Sequence, residues 1–237
     1  MGVLYWSACS LPSEDAVEGL RVYLDVTFSH EANRSYLDAL MGHADRRPLP
    51  RVIIPRLCGL SLLPPLLERA GVDPASVLLC RDEHGRPHGE IEGEGVLPFD
   101  FNISHSDSHA ACALLPGGGT VGLDMEELLT PKRALPLIAH YCTAGESATL
   151  EGLTDREKAA AFTRLWTVRE ALCKQDGRGM PLRYDAAGIP DHVKVFCGVF
   201  PDTETRISLC VPMDIGISDV IAVPPAPRVD WMEWMAK

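Results

Sequence analysis

The stretch from Thr154 to Gly177 constrains the fold most. Thr154 is a good N-cap, Glu157 stands three residues later to complete a capping box, and Gly177 supplies the stop. The spacing predicts a helix over 155–176. At about 100° per residue, Ala161, Leu165, Val168 and Leu172 form one apolar stripe that is expected to face the core. Thr163, Trp166, Glu170 and Lys174 fall on the opposite, outward arc. That arc reads either as a surface ion pair flanking a packed Trp or as one wall of a site.

Short strand patterns lie on both sides of this helix. "VLYWSA", "SVLLC", "FNISHS", "HAACALL" and "TVGLDMEEL" precede it, and "VKVFCGVF", "RISLCV" and "DVIAV" follow. A helix carrying Val17, Leu20, Val22 and Leu24 is expected after Ser13 or Asp15, and "RVIIPRLCGLSLLPPLLERAG" reads as an irregular, proline-interrupted helical region. "RDEHGRPHGE" reads as a turn, and the two Trp of the Pro-rich tail are expected to pack back on the body. The order is strand, helix, strands, then strand, helix, strands. It suggests an α+β chain of two similar halves, 1–116 and 117–237.

Composition narrows the partners. Hydrophobic residues make up 46% and charged residues 23%, enough for a real core. The eight cysteines form no CxxC pair and sit mostly in apolar runs, which reads as buried free thiols. The formal net charge of −11 argues against a nucleic-acid partner. Against that acidity, Arg46, Arg47, Arg51, Arg56, Arg69, Arg81 and Arg86 cluster in one region, which reads as an anion site or as a solvated surface. "LCGLSLLPPLL" is too short to span a bilayer, and "MGVLYWSACSLPSED" lacks a basic leader region; the expectation is a cytoplasmic protein with no membrane partner.

The chemistry-bearing residues come in three groups. Asp124 and Glu126 are two apart on a predicted strand, so both leave one face. They repel unless a cation such as Mg²⁺ sits between them, or unless the face is simply solvated. "ISHSDSH" offers a phosphate-binding turn with Ser104 and His105, a metal site of His105, Asp107 and His109, or a serine–histidine nucleophile. A Mg²⁺-type site favours oxygens over those histidines, and the nucleophile reading lacks a G-x-S-x-G turn. The third group is Glu170 with Lys174 on the long helix.

Taken together, "FNISHS", Gly122-Leu123-Asp124-Met125-Glu126, and Trp166-Thr167-Val168-Arg169-Glu170-Ala171-Leu172-Cys173-Lys174 with Gly177 and Gly179 resemble the 4′-phosphopantetheinyl transferases, in particular their two-half, Sfp-like type. The likeness is strong over about residues 100–180. It implies two halves related by a pseudo-two-fold axis, each a small antiparallel sheet packed with helices, with the active site between them. It also implies transfer of the phosphopantetheine arm of coenzyme A to a serine of an acyl or peptidyl carrier protein. On this resemblance Asp124, Glu126 and Glu170 hold Mg²⁺, and Ser104 and His105 contact the coenzyme A phosphates. Glu170 is the general base, directly or through water, and Lys174 offsets phosphoryl charge. His105 and Lys174 thus count among both catalytic and coenzyme-binding residues. Arg86, in Gly85-Arg86-Pro87, and Arg56 would hold the 3′-phosphoadenosine end. The sequence departs from the family pattern at Arg169, at Arg86 and at Leu60, where a basic residue is expected. A monomer binding one coenzyme A is expected. A non-catalytic coenzyme A or carrier-binding module and a Mg²⁺-dependent phosphohydrolase are the competing readings.

Overall fold

The computed structural model describes residues 2–42, 49–91, 95–96, 99–177, 188–201 and 203–235. Arg46, Arg47 and Gly179 lie outside them. The chain begins with β1 (Leu4–Ser10) and four helices, α1 (Val17–Thr27), α2 (Asn33–Met41), α3 (Pro50–Ser61) and α4 (Leu63–Arg69). Next come β2 (Val77–Arg81), β3 (Pro87–Ile91), β4 (Gly95–Val96), β5 (Phe99–His105), β6 (His109–Pro116) and β7 (Gly122–Glu126). Helices α5 (Pro131–Tyr141), α6 (Ala144–Thr149) and α7 (Asp155–Asp176) lead to β8 (Val193–Val199), β9 (Arg206–Pro212), β10 (Val220–Ala222) and β11 (Met232–Glu233).

Two four-stranded sheets form the centre, in the orders β10-β1-β6-β5 and β11-β8-β9-β7; β2, β3 and β4 make a small third sheet. Sequence alternation sorts the layers. Leu4, Trp6 and Ala8 of β1 and Ala111, Ala113 and Leu115 of β6 meet Leu123, Met125, Phe196, Ile207, Leu209 and Val211 of the second sheet. Cys112 and Leu114 point the other way, into a core with Leu24, Leu57, Leu60, Leu63 and Leu67 of the N-terminal helices. β6 is therefore buried on both faces, which is why it reads as a continuous apolar run. On the far side of the second sheet, Leu165, Val168, Ala171 and Leu172 of α7 pack on Val193, Val195 and Cys210. Pro50–Arg69 is long and apolar enough by length and composition to cross a membrane, and 67% of its most apolar 18-residue window is buried inside the protein.

Helix α7 has the expected bounds, and both halves of its capping box are made: Thr143 and Thr154 each cap their helix with a Glu three residues on, and Gly177 closes α7 at φ 79°. Trp231 returns to stack edge-on against Trp6 at 5.2 Å.

The structure corrects three expectations. The first sheet is not purely antiparallel: β10, from the far end of the chain, pairs in parallel with β1, Leu4 opposite Val220. The arc of α7 bearing Thr163 and Trp166 does not face solvent. Thr163 is fully buried, and Trp166 packs on Phe162 and Tyr141, because α5 covers that side. The segment after Gly85 is strand β3, not only a turn.

Candidate active site

The site grows from the way β7 is held. Asp100, Asn102 and Ser104 alternate along one face of β5. Their side-chain oxygens accept the backbone N–H groups of Val121, Leu123 and Met125 at 2.7, 3.1 and 3.2 Å. The other edge of β7 pairs with β9, placing Asp124 opposite Ser208. β7 thus has a ladder on each side, one of backbone and one of side chains, and its N–H groups find acceptors on both edges. β7 also presses on α7 with no space between them. A Cβ added at Gly122 would lie 1.8 Å from the Ala171 carbonyl oxygen. Here the glycine permits a close strand–helix approach.

That approach brings the strand carboxylates to the helix face. Asp124 is 7% exposed. Its Oδ1 accepts from Lys174 Nζ at 2.7 Å and from Ser104 Oγ at 3.1 Å. Lys174 Nζ also donates to Ser104 Oγ at 3.0 Å. Burial pushes the Asp124 carboxyl upward, and the Lys174 ammonium opposes it. Burial and then the Asp124 charge raise Glu126. Glu170 is pushed up to about 7, by burial first and then by Asp124, with Lys174 opposing and Glu126 adding a little. Asp124, Glu126 and Glu170 therefore feel one another. Lys174 lies among them and pairs with Asp124. Glu127, which sequence reasoning passed over, adds a buried Oε1 with no hydrogen-bond partner among the described residues. Its only sequence signal is its place directly after the D-x-E pair. Asp124, Glu126 and Glu170 are oxygen donors of the kind a hard divalent cation such as Mg²⁺ takes, with Lys174 and Arg133 as opposing charges; their ligand oxygens do not all stand within 4.8 Å of one another in this structure.

His105 stands at the open end of β5. Burial and the charges of Lys174 and Arg56 hold its imidazole below the usual range. Arg56, on α3, is thus brought to the same end of the site. A cleft of about 670 Å³ opens there, bordered by Ser10, Arg51, Ile54, His105 and Asp107. Ser104 itself is 3% exposed and stands behind Lys174. The metal set of His105, Asp107 and His109 is not assembled. The ring nitrogens of His109 face Ser10 Oγ at 3.3 Å and Ser108 Oγ at 2.7 Å. With both nitrogens on hydroxyls, neither is left for a metal, and the ring lacks the orienting carboxylate of a Ser-His-Asp triad among the described residues.

Arg86 lies at the other end of β5. Its guanidinium donates to the Val121 carbonyl at 2.9 Å, to the Asp100 carboxylate and to the Lys174 carbonyl. A second cleft, of about 500 Å³, is bordered there by His84, Arg86, Thr120, Gln175 and Gly177. Arg169 turns away from the carboxylates, to the Tyr141 carbonyl at 2.9 Å and to Glu146. Leu60 is buried in the helical core and offers the cleft nothing.

Fold and site together define an α+β protein with a lysine-countered carboxylate centre at a strand–helix junction. Residues 120–210 match the model of the 4′-phosphopantetheinyl transferase superfamily. The 4′-phosphopantetheinyl transferase gsp of Aneurinibacillus migulanus is 25% identical over 48% of this chain and 44% of its own length. HetI of Nostoc sp. is 31% identical over 46% of each, and Sfp of Bacillus subtilis is 24% identical over 72% of this chain and 75% of its own. The chain spans about half the length of gsp and HetI in these matches. The resemblance to the Sfp-like transferases that the motifs carry is borne out.

Proposed function

We propose that the protein transfers the 4′-phosphopantetheine arm of coenzyme A to a serine of an acyl or peptidyl carrier protein. The observation that carries this reading is the convergence of Asp124, Glu126, Glu170 and Lys174 where β7 crosses α7, with His105 and Arg56 beside the adjoining cleft. Arg56, His105 and Lys174 supply positive or neutral donors for the coenzyme A phosphates. Ser104 serves them from behind, by orienting Lys174.

The carrier hydroxyl attacks the phosphorus bearing the pantetheine arm. An O–P bond forms, the pyrophosphate P–O bond breaks, and 3′,5′-ADP leaves. Glu170, with its carboxyl near 7, takes the hydroxyl proton directly or through water, at a pKa suited to a base at neutral pH. Lys174 offsets the charge on the transferring group. Asp124, Glu126 and Glu170 would hold Mg²⁺. When bound, it neutralises pyrophosphate charge and polarises the phosphoryl group.

We also infer a pseudo-two-fold architecture with the site between the halves and one coenzyme A per monomer. The pattern β1-β6-β5, a strand then a helical segment then a hairpin whose last strand sits centrally, repeats as β7-β9-β8 around α7.

Incubation of the protein and coenzyme A with a panel of apo carrier proteins, read by intact mass, tests the reading. A phosphopantetheine adduct dependent on Mg²⁺ is expected. Coenzyme A binding without an adduct on any carrier would instead support a binding module. Phosphate release without a carrier would support a phosphohydrolase.

A further inference from the structure

Arg86 sits in the Gly-Arg-Pro turn where the resemblance places a ligand contact, yet its guanidinium is used inward. Its side chain is 12% exposed and that of Asp100 is 13% exposed. It joins three elements at once: Asp100 on β5, the Val121 carbonyl leading into β7, and the Lys174 carbonyl near the end of α7. The last is one of the helix-terminal carbonyls that lack an intrahelical partner and favour a cation. Asp82 fixes the turn from behind, accepting the N–H groups of His84 and Arg86 at 2.8 Å each. A guanidinium presents its donors in a rigid planar fork, whereas an ammonium is a compact point charge without that fixed geometry.

We propose that Arg86 is a positioning residue of the carboxylate centre. Together with the Asp100–Asn102–Ser104 ladder, it locks β7 and the end of α7 in one register, so that Asp124 meets Lys174.

The geometry gives the lock a purpose. Strand side chains alternate, so a one-residue slip of β7 would turn Asp124 and Glu126 to the opposite face. The pairing of β7 with β9 is continuous backbone. The pairing with β5 rests on three side chains and is the side on which the site opens. Arg86 anchors the first rung at Val121. The last rung, Ser104 on Met125, also touches Asp124 and Lys174 directly. Asp100 and Ser104 are four residues apart, roughly 13 Å along a strand. Arg86 therefore acts on the centre through the ladder and through the Lys174 backbone.

This inference rests on the proposed function for its consequence and not for its first readout. Hydrogen exchange at the Val121, Leu123 and Met125 amides needs no ligand. Mn²⁺ binding, followed by electron paramagnetic resonance far below the melting temperature, reports the carboxylate centre. Coenzyme A binding is measured by calorimetry in EDTA. Arg86→Lys is expected to speed exchange at Val121, to weaken Mn²⁺ binding by about tenfold, as outer-shell changes do, and to leave coenzyme A affinity in EDTA within about twofold. In turnover it lowers kcat with little change in KM for coenzyme A. Should Arg86→Lys not fold, Asp100→Asn stands in. It keeps an acceptor for Val121 and loses the charge partner of Arg86, so Mn²⁺ affinity falls while Val121 protection is largely kept. A variant that loses coenzyme A affinity tenfold or more, with Mn²⁺ binding and amide exchange unchanged, would make Arg86 a phosphate ligand and overturn the proposal. Unchanged exchange and unchanged Mn²⁺ binding would overturn it as well. If the wild-type protein binds Mn²⁺ but transfers nothing to any carrier, the functional reading fails, and the positioning role is still decided.

Discussion

Glu170 carries the sharpest prediction at the scale of single residues. Its folded carboxyl is near 7, against an ordinary value of 4.5. Between these values the folded state holds a proton that the unfolded state releases. Stability is therefore greatest below about pH 4.5 for this group and is lost as pH rises through about 7. Glu170→Gln removes the crowded charge. In EDTA, the melting temperature of wild type relative to Glu170→Gln is expected to fall between pH 5 and 8, and calorimetry at several pH values checks it. Transfer by the variant is expected to drop about 10²-fold or more, with a wild-type pH–rate profile that rises towards neutrality. Lys174→Met leaves Asp124 buried without its countercharge. The expected cost is about 3 kcal/mol, largest at high pH, where the carboxyl cannot escape by taking a proton. Added Mg²⁺ should recover part of it in a thermal melt; a melting temperature insensitive to Mg²⁺ would detach Asp124 from the cation.

Among elements, the junction of β7 and α7 is the least tolerant. Gly122→Ala would drive a methyl into the Ala171 carbonyl, and neither element has a flexible side chain to yield. Overpacking of this kind costs about 1–3 kcal/mol or more. A folded Gly122→Ala protein with wild-type Mn²⁺ affinity would mean that β7 can move off α7 freely. The bounds of α7 were legible in the sequence because a capping box and a left-handed glycine are local signals. Residues Asp124, Glu126, Glu170 and Lys174 were legible as a group because their order and spacing resemble a known family's. Four things were not legible. α5 and α6 carry Pro136 and a short cap-to-cap length, and no helical pattern was read there. The arc of α7 looked outward because nothing in its own sequence announces that α5 lies over it. The Asp100–Asn102–Ser104 alternation was on view, yet its meaning depends on a partner strand whose amides only the tertiary fold brings alongside. The acceptors of Arg86, on β5, just before β7 and near the end of α7, come from three elements that only the tertiary fold brings to its turn.

For the molecule as a whole, the strands of the proposed halves interlock. β10 belongs to the second stretch of sequence and completes the first sheet, and the first sheet's β5 supplies the ladder for β7. A fragment of residues 1–116 lacks both the outer neighbour of β1 and the occupant of the ladder. It is expected to show no cooperative thermal transition, whereas the full chain unfolds in one. Calorimetry on both proteins decides this, and a fragment that melts sharply on its own would show the first half to be self-sufficient.

The parallel pairing of Leu4 with Val220 also bears on how the protein is made. A ribosome delivers β1 long before β10. Throughout that interval the outer edge of β1 has no backbone partner, and a bare edge is a template for another chain. Nascent or refolding protein is thus most prone to associate before β10 is in place. Its yield should depend on chaperone supply and on concentration more steeply than its finished stability suggests.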